Sequence, residues 1–163
     1  MKYSRLAPII LSVAVSTLVV GCAGASFYIE PEGATPTTLF KSGRNFHTDG
    51  ITLHVVIRTP EDWAAFLSDY PTRSKGMRDL FWRVDYDRHM VIGLVLGMPR
   101  SSSIRVNIDS IRVEDHRLLV YATEHRPLAQ SRDLVNPAHF VVVERMERPV
   151  EFAEVVVKDE RLR

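Results

Sequence analysis

Met90-Val91-Ile92-Gly93-Leu94-Val95-Leu96 runs almost without a polar side chain and is closed by Gly97 and Pro99. Side chains alternate between the two faces of a strand, so apolar residues at successive positions predict a strand buried on both faces. Such a strand needs neighbours and cover on each side, and this demand organises the chain from Val84 to Pro127. After Pro99-Arg100-Ser101-Ser102, the stretch Ile104 to Asp109 alternates apolar and polar residues, as a half-buried strand does. Ile104, Val106 and Ile108 then give way to Ile111 and Val113, a change of phase by one residue. A one-residue slip would turn the second set to solvent, so a β-bulge is expected near Asp109-Ser110. Glu114-Asp115-His116-Arg117 makes a polar turn before the strand Leu118 to Thr123. The three strands read as an antiparallel meander.

Before the meander, Ile51 to Arg58 reads as a strand, and Thr59-Pro60-Glu61-Asp62 as a helix start. Threonine caps, proline suits the first helical position, and acids favour the positive end of the helix dipole. Trp63, Phe66, Leu67 and Tyr70 share one helical face, and Pro71 ends the run; such an aromatic stripe is core material. Leu80 to Val84 reads as a short strand. After the meander come a polar connection from Arg126 to Pro137, a Val-rich strand from His139 to Arg145, and a last strand from Val150 to Val157. The expected fold is a β-rich α+β domain: a mostly antiparallel sheet or meander of six to seven strands with one amphipathic helix packed on it.

The N-terminus reads as an export signal. Lys2 and Arg5 precede an apolar core, Leu6 to Val20, shorter than the ~20 apolar residues of a spanning helix. It ends in Val19-Val20-Gly21-Cys22, which resembles the bacterial lipobox, with Cys22 as lipid acceptor. Cys22 is the only cysteine, so no internal disulfide braces the fold. Ala23 after the cysteine matches the sorting pattern of outer-membrane lipoproteins. The chain carries 21 basic and 20 acidic side chains; without Lys2 and Arg5 the balance is 19 to 20, a net charge of −1. A near-neutral chain with interspersed signs predicts neither nucleic-acid binding nor a polybasic membrane patch. Ala23 to Thr38 has the small, polar, Pro/Gly-containing composition of a tether, with Phe27-Tyr28-Ile29 as an alternative strand start. Leu39 to Asp49 reads as irregular, with Asp49-Gly50 as a turn signal. The expected organisation is a signal peptide over 1–21, lipidated Cys22 and tether over 22–49, the β-rich domain over 50–158, and a charged, frayed tail over 159–163.

The series Val84-Asp85-Tyr86, a strand ending in Gly97, a proline-containing loop, Ile104 to Val113, Leu118 to Thr123 and Pro127 resembles the C-terminal domain of the PrcB-type protease-complex-subunit family. The resemblance extends through Pro137 and Phe140 to Arg145 and covers roughly the half of the chain after Val84; the Trp63 helix fits it as well. It implies a non-catalytic subunit that assists the assembly or stability of a cell-surface protease complex. The family's loop usually carries a small residue, a glycine and a tyrosine. Here it reads Arg100-Ser101-Ser102-Ser103-Ile104, so that turn is not carried over.

Candidate chemistry is sparse. His47, His54, His89, His116, His125 and His139 show no metal-ligand spacing, and turn or surface roles account for them; neither metal nor cofactor is expected. Ser101, Ser102 and Ser103 lack a Gly-x-Ser-x-Gly elbow, and Asp85 and Asp87 suit a capping turn. The partner-binding candidates are Pro99, Arg100, Ser101, Ser102 and Ser103, with Arg100 as anchor, and the connection Leu128 to Asn136. The expected partners are the bilayer, through acylated Cys22, and an exported protease or other envelope protein. Two alternatives are a peptidase-inhibitor-like binding module and a small envelope hydrolase using Ser101 to Ser103.

Overall fold

The computed structural model describes residues 36–42, 46, 48–71, 75–114 and 116–160. The signal peptide, Cys22, the Phe27-Tyr28-Ile29 patch and most of the expected tether lie outside the described residues. The chain is a strand-rich α+β fold in three layers. Its middle layer is a four-stranded antiparallel sheet in the order β1 (Thr37–Ser42), β8 (Ala138–Glu144), β3 (His89–Val95), β2 (Leu53–Ile57). On one face lie α1 (Pro60–Asp69) and α2 (Lys75–Phe81). On the other lies a second sheet in which β6 (Arg117–Pro127) pairs antiparallel with β5 (Arg105–Glu114) and parallel with β9 (Val150–Phe152) and β10 (Val156–Glu160). Two short strands, β4 (Arg100–Ser101) and β7 (Leu134–Val135), pair outside both sheets.

The apolar run is the centre of this arrangement, and every residue of β3 is buried. Val91 and Val95 face the helices, whereas Met90, Ile92, Leu94 and Leu96 face the second sheet. Each buried large aliphatic side chain contributes about 1.5–3 kcal/mol relative to exposure. Gly93 is opposite Phe140, and a Cβ there would sit 2.3 Å from the Phe140 ring. The missing side chain thus makes room for a ring that meets Phe40, Phe46, Phe66 and Phe81.

The α1 start is as expected: Thr59 Oγ1 accepts from the Asp62 N–H, and the Asp62 carboxylate accepts from the Thr59 N–H. Trp63 is fully buried and stacks on Phe81 with ring centroids 3.6 Å apart. The register of β5 against β6 shifts between Ile108 and Ser110, which is the expected bulge.

Four expectations are corrected. Thr37–Ser42 is a strand rather than tether or irregular chain; a bulge between Thr38 and Phe40 lets adjacent Leu39 and Phe40 both reach the helix-side core, hiding the period-two signal. Leu80 and Phe81 end a helix rather than start a strand, because the Phe81–Trp63 stack outweighs a local strand preference. The strands β3 and β5 do not form one meander but lie in different sheets. A strand apolar on both faces needs a second layer, which a single sheet with helices on one side does not provide. Finally, Asp159 and Glu160 are not a frayed tail but the end of β10, opposite Arg126 and Pro127.

Candidate functional site

The loops joining the strands at one end of the molecule are cross-braced. Thr48 to Ile51 is a tight turn, with Ile51 N–H donating to Thr48 O at 2.8 Å and positive φ at Asp49 (48°) and Gly50 (85°), as in a type I′ turn. The turn presses on Gly97, where a Cβ would meet the Ile51 carbonyl carbon at 2.0 Å, so this position admits only glycine without backbone movement. Asn136 Nδ2 lies 2.9 Å from Thr48 Oγ1 and 2.7 Å from Gly97 O, and the Thr48 hydroxyl also donates to Gly97 O. Three loops are thereby held together. On them stand Ile51, Met98, Leu128 and Leu134, exposed by 61, 56, 55 and 71%.

The Pro99 to Ser103 candidates sit beside this rim but are not a free loop. Pro99 and Ser102 are exposed, Arg100 and Ser103 half-buried, and Ser101 buried. Ser101 Oγ donates to Ser131 O at 2.9 Å, the Ser102 and Ser131 hydroxyls meet at 2.5 Å, and Ser131 N–H donates to Ser103 Oγ at 3.0 Å. The three serines therefore clasp the 128–136 connection. Among the described residues no imidazole hydrogen-bonds to them. Arg100 turns inward: its Nε is 3.5 Å from the buried Glu124, which also accepts from Arg126 Nε at 2.6 Å. The Arg100 contact is an ion pair without an aligned hydrogen bond, since its Nε is buried and unpartnered by hydrogen-bond geometry. Glu124 continues the core-facing row Leu118, Val120, Ala122 at the end of β6, and its charge explains the arginines. Arg100 neutralises a buried carboxylate, and Ile51, Met98, Leu128 and Leu134 are the large apolar groups exposed on the neighbouring loops. Leu128 and Leu134 fall within the connection expected to bind a partner, whereas Ile51 and Met98 were not singled out, because an isolated apolar residue beside a turn carries no periodic signal.

Beside the clasp lies a polar cleft of about 540 Å³ lined by Lys41, Ser103, Arg105, Asn107, His125 and Glu160. His125 Nδ1 is 3.7 Å from Glu160 Oε1. His139 is opposite Lys41 across β1 and β8 and bridges the layers: its Nδ1 accepts from Ile108 N–H at 2.8 Å, so its Nε2–H faces Thr38 Oγ1 at 2.9 Å. Burial, aided by the Lys41 charge and opposed by Asp109, lowers its pKa to about 4. Among the described residues no three His, Cys, Asp or Glu side chains gather as a metal site. The Asp85 carboxylate accepts from Asp87 N–H, an Asx turn of the expected capping kind.

The chain was compared with models of protein families, with curated proteins and with solved structures, and none matches.

Proposed function

We propose that this chain is a lipid-anchored envelope protein, attached through Cys22 and sorted to the outer membrane, whose β-rich domain acts as a non-catalytic binding subunit of an exported protease complex. The anchoring rests on the lipobox resemblance, and the protease setting on the PrcB-type resemblance. The observation that carries the binding role is the rim: Ile51, Met98, Leu128 and Leu134, each more than half exposed, stand on loops locked by Asn136 and by the serine clasp. Exposed apolar side chains on a braced base suit contact with a partner, because a braced loop loses little conformational freedom on binding.

The test is capture from envelope extract by the full-length protein in detergent, compared with Leu128→Ser/Leu134→Ser. The expected result is an exported protease, identified by mass spectrometry and unaltered in activity, that the double variant no longer retains at an unchanged melting temperature. Equal capture by both proteins overturns the rim as contact surface; loss of protease activity on adding the wild type favours the inhibitor reading instead.

A further inference from the structure

Among the described residues, the outer edges of β1, β2, β5 and β10 are not alike. The outer edge of β1 is bulged and carries Lys41. The edge of β5 is bulged, carries Arg105, Asp109 and Arg112, and already gives its Ile108 N–H to His139. The outer edge of β10 ends in Lys158, Asp159 and Glu160. Charges and bulges of this kind are how proteins keep an edge from pairing with another chain. The edge of β2, Leu53-His54-Val55-Val56-Ile57, has no bulge, no lysine and no proline, and its register with β3 is unbroken.

The direction of its free groups follows from the neighbouring ladder. Leu96 N–H donates to Pro137 O, and Arg145 N–H to Arg88 O, so even-numbered residues of β3 turn their backbone toward β8 and odd-numbered ones toward β2. Val91, Gly93 and Val95 are opposite Ile57, Val55 and Leu53. The backbone N–H and C=O of His54 and Val56 therefore point away from the sheet, with no partner among the described residues. Arg58 N–H, next in this outward series, donates to the Asp62 carboxylate at 2.8 Å and closes one end. Asp62, Phe66 and Tyr70, one ridge of α1, stand beside the edge and enclose with Thr52 to Ile57 a groove of about 290 Å³.

From this geometry we infer that the β2 edge and the α1 ridge form a binding groove for an extended segment of a partner polypeptide, which adds to the sheet as a fifth strand. Main-chain pairing with His54 and Val56 supplies register, as in other strand-addition complexes. Every second side chain of the guest enters the space beside the half-buried Phe66 and Tyr70, so that row is aliphatic or aromatic. The other row lies alongside His54, whose ring already stacks on Phe152 at 4.2 Å, and is polar. A second copy of this chain is the poorer guest, since its own helix would have to occupy the space that the α1 ridge fills. None of the four rim side chains lines the groove, so this inference does not rest on the proposed protease complex.

The experiment follows amide hydrogen exchange in the full-length protein, with and without a panel of short peptides that alternate threonine with valine, leucine, isoleucine, phenylalanine or tyrosine. In the free monomer the His54 and Val56 amides exchange readily, while Leu53, Val55 and Ile57 are already protected. A bound peptide slows the first pair by about tenfold or more and leaves the others unchanged. Val56→Pro removes an outward N–H that β3 does not use and abolishes binding; alternate N-methylation of the peptide does the same and decides the matter if that variant fails to fold. The inference is overturned if no peptide protects these amides at millimolar concentration, or if an N-methylated peptide binds equally well. Protection of His54 and Val56 in the peptide-free monomer, or only in a dimer seen by sedimentation, overturns it too, by showing the edge already filled by this chain or by its copy.

Discussion

His139 joins β1, β8 and β5, so its protonation state bears on contact between two layers. Protonation would place a hydrogen on the Nδ1 that now accepts from Ile108, and would put a second cation beside Lys41. The folded-state pKa of about 4 lies below the ordinary 6.5, so the unfolded chain takes up the proton first as pH falls. The stability tied to neutral His139 is whole above about pH 6.5 and drains away down to about pH 4, by roughly 2–3 kcal/mol. His54, whose pKa is also lowered by burial, contributes in the same direction. Denaturant unfolding from pH 7 to pH 4 checks this: His139→Gln should flatten the pH dependence substantially, and an unchanged slope would assign the loss to other groups.

At the scale of elements, the Trp63–Phe81 stack joins α1 to α2 and presses both onto Phe140 in β8. Trp63→Ala should therefore lower stability by about 3–5 kcal/mol, the usual consequence of emptying a large aromatic site; a melting temperature that hardly moves would mean that the helices are not held by this stack. The α1 helix was legible because its cap, proline and aromatic stripe all agree. The bulge in β5 was legible for a like reason: Ile108 and Ile111 are out of phase in a strand that is otherwise regular. By contrast, β1 offers only Leu39 and Phe40, adjacent and made cooperative by a bulge that only its pairing with β8 reveals. The pairing of β3 was equally hidden, since an apolar run states that both faces are covered but not by what. At the candidate site, the serine-rich loop was legible as a place but not as a structure. The inward turn of Arg100 depends on Glu124, a long-range neighbour whose burial no local pattern records.

The whole molecule, under the proposal, is a domain held at a membrane by lipid alone. Among the described residues no helix is long and apolar enough to cross a membrane, and without Lys2 and Arg5 the chain has 19 basic against 20 acidic side chains, too even a balance for electrostatic adhesion to anionic lipids. A thioether-linked diacylglycerol at Cys22 brings two acyl chains, each buried methylene contributing ~0.8 kcal/mol, and two chains suffice for stable anchoring where one gives only reversible binding. Wild-type protein should accordingly stay in the membrane fraction through a molar salt wash, which screens charge attraction beyond about 3 Å, and leave it in detergent. Cys22→Ala should remove the acceptor thiol, leave an uncleaved or soluble form, and keep the melting temperature of the domain. Mass spectrometry of the mature wild type should locate the acyl mass on Cys22. An unmodified Cys22, or release of the wild type by salt alone, would sink the anchoring proposal while leaving the β2 groove and the loop rim to their own tests.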